Sequence, residues 1–219
     1  MNYLPCLEVE PQTAATAAVI WLHGLGASGD DFAPIVPELD LGDLAVRFIF
    51  PHAPSRPVTI NNGMVMPAWY DIFTLDIDRK IDEEQILQSA QAIHDLIDRE
   101  IERGIAAERI IVAGFSQGGA VSYQAALSYP KPLGGLMTLS TYFATSDTVA
   151  VDSANQPLPV FVSHGLYDSV VPEVLGQRAV ELLKAKSITA EYKTYPMDHE
   201  VCMPQIRDIS QWLTTCLSN

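Results

Sequence analysis

Short apolar segments alternate with longer amphipathic segments along the chain. Six of the short segments have the length of a β-strand: residues 17–22, 46–50, 109–113, 135–140, 159–163 and 190–195. Most are apolar continuously rather than at every second position, which is typical of strands covered on both faces. The pattern therefore predicts buried strands of a mostly parallel sheet.

The longer segments have the spacing of helices. The clearest covers residues 82–103, with Asp82 as a predicted N-cap and Gly104 as the stop. Residues 117–128, 172–186 and 204–217 predict further helices. Alternating strands and helices predict a doubly wound α/β fold. Residues 140–159 are too few for a large helical cap, so no cap domain is expected.

Length, composition and charge narrow the class of protein. The chain has 219 residues, 48% of them hydrophobic, which suits one α/β domain over residues 1–219. Its net charge of −14 argues against a nucleic-acid surface, which needs clustered Lys and Arg. The same charge opposes stable anchoring on anionic membranes. The N-terminus lacks the features of a secretory signal, so a cytoplasmic location is expected.

The sequence carries no signal for a metal or a cofactor. Cys6, Cys202 and Cys216 are an odd number and form no C-x-x-C pair. A Walker motif, a G-x-G-x-x-G motif and metal-ligand spacing are all missing. We therefore expect reduced thiols without a chemical role, no metal and no cofactor.

A nucleophile motif stands at residues 114–118, which read Gly-Phe-Ser-Gln-Gly and fit G-x-S-x-G. It follows an apolar strand and opens the helix predicted from Gln117. In that setting a tight turn lifts the serine above the sheet. A glycine-rich turn whose serine only caps the helix is the alternative, but the context favours Ser116 as a nucleophile.

A serine nucleophile needs a base and an acid that orients the base. The chain order Ser…Asp…His leaves His164 and His199 as bases, because His23, His52 and His94 precede Ser116. His94 is expected on a solvated helix face. His164 ends a strand, where a structural role is expected.

Asp168 follows the same strand as His164, at the carboxyl end where α/β sheets place their sites. This choice of acid leaves His199 as the base. Asp147, Asp152 and Glu181 have weaker positions for the acid. The predicted triad is Ser116, Asp168 and His199.

Acyl transfer also needs amides that stabilise the oxyanion. The backbone N–H of Gln117, directly after the nucleophile, is one candidate. The glycine-rich turn at residues 23–26 supplies the second candidate, and the Leu25 amide is the best choice within it. The alternative is that these residues form an ordinary turn that only ends the strand. Residues 61–67 predict an exposed loop with an apolar tip. Met64, Met66 and Trp69 could line an acyl channel, or Trp69 could anchor this loop on the core.

Together these motifs resemble the carboxylesterase/acyl-protein thioesterase (phospholipase/carboxylesterase) family of α/β-hydrolases. The likeness is greatest to small bacterial carboxylesterases and covers nearly the whole chain. Its most specific segments are residues 54–61, 66–72, 114–120 and 139–142. The family's triad maps onto Ser116, Asp168 and His199, and its oxyanion amides map onto Leu25 and Gln117.

The resemblance implies cofactor-free hydrolysis of short- to medium-chain carboxylic esters, small-molecule substrates, through an acyl-enzyme on Ser116. An acyl-protein thioesterase or a lysophospholipase on the same fold is the alternative, and a non-catalytic binding protein is a remote one. Bacterial relatives often form homodimers, so a homodimer is also implied. One residue departs from the family pattern: Asp198 stands where the family has Gly before the catalytic histidine.

Overall fold

A seven-stranded sheet forms the centre of the protein in the computed structural model, which describes residues 3–218. Met1, Asn2 and Asn219, which the single-domain prediction includes, lie outside that range. In chain order the strands of this sheet are β1 (Cys6–Val9), β2 (Ala17–Leu22), β3 (Val46–Pro51), β6 (Ile110–Phe115), β7 (Gly135–Leu139), β8 (Val160–Gly165) and β9 (Ala190–Tyr195). A separate hairpin contains β4 (Ser55–Val58) and β5 (Met64–Pro67).

The spatial order of the strands is β1-β3-β2-β6-β7-β8-β9. All neighbours in it are parallel except β1, which pairs antiparallel with β3. The predicted doubly wound, mostly parallel sheet is therefore confirmed. The edge strand β1 is not among the predicted strands, because its four residues are only half-buried and form no continuous apolar segment.

Four helices cover the two faces of the sheet: α1 (Glu83–Glu102), α2 (Gln117–Ser128), α3 (Val174–Ala185) and α4 (Met203–Leu217). Successive side chains of β2 point to opposite faces. Ala18, Ile20 and Leu22 pack in a core with α1, α2 and α3. Ala17, Val19 and Trp21 pack in a second core with α4. Burial on both faces explains why β2 is apolar at every position.

The boundaries of α1 follow from local chemistry. The Asp82 side chain accepts a hydrogen bond from the Gln85 amide at 3.0 Å, so the predicted N-cap is confirmed. Gly104 takes a positive φ of 96° just after the helix. The expectation of a solvated His94 is wrong, because its Nε2 lies 2.8 Å from the Ala125 carbonyl oxygen and joins α1 to α2.

A buried ionic cluster fastens α1 to the edge of the sheet. The Glu100 side chain has no solvent exposure, and its carboxylate lies 2.7 Å from Arg47 on β3. Arg99 and Arg103 approach the same carboxylate, both at 3.0 Å. Three guanidinium groups thus compensate one buried negative charge, as burial of a carboxylate requires.

The hairpin of β4 and β5 replaces a loop that the sequence predicts over residues 61–67. That prediction is wrong for residues 64–67, which pair with β4. Asn62 and Gly63 have positive φ angles of 56° and 74° at the turn, and such Asn-Gly pairs are typical of hairpins.

The parallel strands end together at one edge of the sheet, and the segments after β2, β6, β8 and β9 meet there. Between β7 and β8 the chain forms one 3₁₀ turn at Ser153–Asn155, so the expectation of no large cap agrees with the structure. No helix within residues 3–218 has the length and apolar character needed to cross a membrane.

Candidate active site

Ser116 sits on a strained turn between β6 and α2. Its φ and ψ angles are 54° and −121°, a conformation that residues other than glycine rarely adopt. The turn is held in place because the Ser116 amide donates to the Leu139 carbonyl at 2.9 Å and Thr141 Oγ1 donates to the Ser116 carbonyl. The strand, turn and helix therefore present the Ser116 hydroxyl at the carboxyl edge of the sheet.

Two glycines make this turn sterically feasible. A Cβ on Gly114 would lie 2.5 Å from the backbone of Gly118. A Cβ on Gly118 would lie 2.5 Å from the carbonyl oxygen of His23. The G-x-S-x-G spacing thus reflects close backbone contact around the serine and between α2 and the segment after β2.

His199 reaches Ser116 from the segment after β9. Its Nε2 lies 2.9 Å from Ser116 Oγ, and its Nδ1 lies 2.8 Å from Asp168 Oδ2. The carboxylate only accepts, so Nδ1 carries the proton and Nε2 is free to accept the hydroxyl proton of Ser116. The His199 ring packs on Phe115, with 4.7 Å between ring centroids. The structure thus brings together the three residues predicted as a triad.

The Asp168 side chain is fully buried and held by several donors. Its Oδ1 accepts from the amides of Val170 and Val171 at 3.0 and 2.7 Å. Burial by itself would raise the pKa of Asp168, but hydrogen bonds from His164, His199 and the Val171 amide outweigh burial and lower that pKa well below its ordinary value. Asp168 is therefore a carboxylate at neutral pH.

His164 has the structural position expected of it. It is fully buried, with Nε2 3.4 Å from Asp168 Oδ2, the same oxygen that His199 Nδ1 contacts. The same Nε2 lies 2.8 Å from the Val171 carbonyl oxygen. His164 thereby supports the turn at residues 168–171 and makes no contact with Ser116.

The two amides predicted for the oxyanion hole lie beside the serine. Leu25 follows β2 and borders the same cavity as Ser116, and Gln117 is the first residue of α2. Within residues 3–218, neither backbone N–H donates to a protein acceptor. The N-terminus of α2 also favours negative charge at this point. Both amides are thus available to a ligand.

An apolar cavity of about 480 Å³ opens at Ser116 and His199. Its apolar lining consists of Leu25, Ala27, Phe32, Ile35, Phe115, Val170 and Val201, and Asp31 and Glu200 also border it. This volume falls in the range of small-molecule sites, roughly 300–1,000 Å³. Phe32, Ile35 and Val201 were not predicted, because no motif marks them and only the fold brings them to Ser116.

The residues predicted to contact substrate lie elsewhere. Met64, Met66 and Trp69 are not among the residues that line this cavity. Met64 is 64% exposed on the hairpin, and Met66 packs near Gly26. Trp69 is completely buried among core residues, which agrees with the alternative of an anchor on the core rather than with a substrate contact by its side chain.

Two of the cysteines are poorly reactive thiols. All three side chains are free and partly buried. Burial raises the pKa of Cys6 and of Cys216 to about 11, so both are protonated at neutral pH.

Comparison with known proteins identifies the family. A family model described as phospholipase/carboxylesterase matches residues 5–217. Acyl-protein thioesterase 1 of Neurospora crassa is 40% identical over 226 residues, which cover 96% of this chain and 91% of that protein. Carboxylesterase SOBER1 of Arabidopsis thaliana is 36% identical over 205 residues, which cover 91% of this chain and 90% of that protein.

Solved structures agree with this assignment. The crystal structure of Arabidopsis thaliana SOBER1 has a TM-score of 0.86 at 33% identity and covers 92% of this chain and 99% of that chain. Acyl-protein thioesterase 2 of Zea mays has a TM-score of 0.83 at 28% identity, covering 98% of this chain and all of that chain. The chain therefore belongs to the phospholipase/carboxylesterase family of α/β-hydrolases and is a hydrolase.

Proposed function

We propose that this protein hydrolyses acyl thioesters and carboxylic esters through an acyl-enzyme on Ser116. The observation that carries the proposal is the position of His199, which lies within hydrogen-bond distance of both Ser116 Oγ and Asp168 Oδ2. That arrangement supports proton transfer from the serine and stabilises the imidazolium that results.

In the first half-reaction, Ser116 Oγ attacks the acyl carbonyl carbon and its proton moves to His199 Nε2. The amides of Leu25 and Gln117 donate to the oxyanion of the tetrahedral intermediate. The bond from the acyl carbon to the leaving sulfur or oxygen then breaks. His199 Nε2 returns its proton to that leaving atom, while Asp168 stays ionised and holds the ring.

In the second half-reaction, water replaces the departed thiol or alcohol. Its oxygen attacks the acyl carbon of the ester on Ser116, and its proton moves to His199 Nε2. When the second tetrahedral intermediate collapses, that proton returns to Ser116 Oγ. The products are a carboxylic acid and the free enzyme, so no cofactor enters the balance.

Two observations support an acyl thioester as the natural substrate class. Relatives at 40% identity carry the name acyl-protein thioesterase. The cavity at Ser116 is lined mainly by apolar side chains, which suits the chain of a fatty acid better than a polar acyl group. An S-acyl group of medium length on a peptide or protein is the substrate we propose, and the corresponding oxygen ester should react at the same site.

The direct test combines covalent labelling with turnover. A fluorophosphonate should label the wild type and the variant Ser153→Ala, whose serine is exposed and does not line the cavity at Ser116. The variant Ser116→Ala should not be labelled. Octanoyl thioester and octanoyl oxygen-ester substrates should both be hydrolysed by the wild type, and neither by Ser116→Ala.

The remote alternative of a non-catalytic binding protein predicts a different result. In that case the wild type would bind an acyl ligand but neither react with the fluorophosphonate nor release carboxylic acid. Hydrolysis of the oxygen ester without hydrolysis of the thioester would instead return the assignment to a carboxylesterase.

A further inference from the structure

We propose that Trp69 is a positioning residue that locks the two oxyanion amides to one another, through His23 on one side and the Gln117 side chain on the other. The inference rests on the proposed function, because it concerns the stabilisation of the same tetrahedral intermediate. It assigns Trp69 a role in the reaction although the residue is buried and does not contact the cavity.

The first link runs from Gln117 to Trp69. Gln117 Oε1 accepts from the Trp69 amide at 2.8 Å, and Gln117 Nε2 donates to the Tyr70 carbonyl at 2.7 Å. Both bonds are buried, and only one orientation of the carboxamide satisfies both of them. The residue that offers one oxyanion amide therefore holds the backbone of residues 69–70 with its side chain.

The second link runs from Trp69 to His23. The indole Nε1 donates to the His23 carbonyl at 2.8 Å, and the two rings pack with 5.2 Å between centroids. Ser89 Oγ donates to the Trp69 carbonyl at 2.6 Å and fixes the other side of the residue. The indole, fully buried, thus has one hydrogen-bonded orientation.

The third link sets the direction of the Leu25 amide. His23 Nε2 lies 3.1 Å from the Ala53 amide, which can only donate. His23 Nδ1 therefore carries the proton and donates to the Gly24 carbonyl at 2.7 Å. The Gly24 carbonyl and the Leu25 N–H belong to one planar trans peptide and point in opposite directions. Because the Gly24 carbonyl points toward His23 Nδ1, the Leu25 N–H points away from the His23 ring.

The environment of His23 keeps this tautomer. The side chain is buried, and burial lowers its pKa, so the ring is neutral and Nε2 remains an acceptor. A Cβ on Gly118 would approach the His23 carbonyl oxygen to 2.5 Å, so α2 packs directly on the carbonyl that Trp69 binds. The two amides are thereby connected through three side chains and one close backbone contact.

The test compares the same substitution, Trp→Phe, at two buried positions. Trp69→Phe removes an indole N–H that binds His23. Trp21→Phe removes one that has no acceptor among the described residues, from a side chain only 1% exposed. We expect Trp69→Phe to lower kcat about tenfold with KM changed less than twofold. We expect Trp21→Phe to keep kcat within twofold of the wild type.

Binding of an alkylboronic acid separates positioning from a loss of stability. Such a compound forms a tetrahedral adduct on a catalytic serine, so its Kd should rise in Trp69→Phe by the same factor as kcat/KM falls. Gln117→Met is the second variant. In the double variant, the losses of kcat from Gln117→Met and Trp69→Phe should not add, because both substitutions remove parts of one hydrogen-bonded connection.

The inference would be overturned by an active wild type in which Trp69→Phe matches Trp21→Phe in kcat and in boronate affinity. Fully additive losses in the double variant would overturn it as well. A wild type without Ser116-dependent turnover would instead overturn the proposed function, and this inference with it. The two failures are therefore distinguishable in one set of measurements.

Discussion

The carboxylate of Asp198 accepts two hydrogen bonds from Ser169, at 2.8 Å from its amide and 2.9 Å from its hydroxyl. Ser169 directly follows Asp168, and Asp198 directly precedes His199, whose amide donates to the same carboxylate oxygen at 2.8 Å. Hydrogen bonds from Ser169 and from the His199 amide lower the pKa of Asp198. The residue that departs from the family pattern thus joins the segment that carries Asp168 to the segment that carries His199.

Replacement of Asp198 should affect kcat through geometry. Asp198→Ala removes the acceptor of three hydrogen bonds that join the segments of Asp168 and His199, and we expect kcat to fall about three- to tenfold. Asp198→Asn keeps an oxygen acceptor without the charge and should stay within twofold of the wild type. Steady-state kinetics on one neutral ester would measure kcat for both variants. An Asn variant as impaired as the Ala variant would mean that the charge of Asp198, rather than its hydrogen bonds, supports kcat.

Ser116 and His199 should act as one unit. We expect Ser116→Ala and His199→Ala each to reduce kcat by several orders of magnitude, and the double variant to be little worse than either. Turnover of an octanoyl ester by the three variants measures this. Losses that multiply in the double variant would mean that the two side chains do not share a mechanism.

Acyl-chain selectivity should follow the cavity at Ser116. Each buried methylene contributes up to ~0.8 kcal/mol, or about fourfold in kcat/KM, until the cavity of about 480 Å³ is filled. Ile35→Trp should move the optimum to shorter chains, whereas Ile77→Trp, at a residue 59% exposed and outside this cavity, should not. A kcat/KM that keeps rising with chain length up to palmitoyl substrates, measured below their micelle concentration, would contradict a limit set by the cavity.

Loss of the buried charge at Glu100 should destabilise the fold without a specific effect on the site. Glu100→Gln leaves Arg47, Arg99 and Arg103 without their shared carboxylate, and we expect the free energy of unfolding to drop by about 3–5 kcal/mol. The control is Glu102→Gln, at an exposed position on the same helix. It should change the free energy of unfolding by less than about 0.5 kcal/mol. Urea unfolding at neutral pH provides the comparison.

Asp168 should contribute acid-sensitive stability. Its pKa is lower in the folded protein than in the unfolded chain, where the ordinary value is about 3.9. Its contribution is therefore complete above that value and is lost as the pH falls below it toward the folded pKa. The difference in unfolding free energy between wild type and Asp168→Asn should shrink as the pH falls below about 4. A difference that grows below about pH 4 would reverse the sign of this linkage.

Local sequence chemistry was sufficient for much of the fold and for the residues of the candidate active site. The Asp82 cap, the continuous apolar run of β2 and the turn at Ser116 each depend on residues close together in the chain. Parallel strands that end at one edge then bring the segments after β2, β6, β8 and β9 together. The proximity of Ser116, Asp168 and His199 was therefore expected from the nucleophile motif, the strand ends and the chain order Ser…Asp…His.

Only the tertiary structure decided the features that depend on distant pairs. The antiparallel pairing of β1 with β3 and the cavity wall formed by Phe32 and Val201 have no local signal, because pairing and burial are set by neighbours far along the chain. The sequence around Trp69 fits either a core anchor or a substrate contact, and the fold distinguishes the two. The Trp69 indole N–H donates to a carbonyl 46 residues away, and the two groups meet only once the segment after β5 has packed on the end of β2.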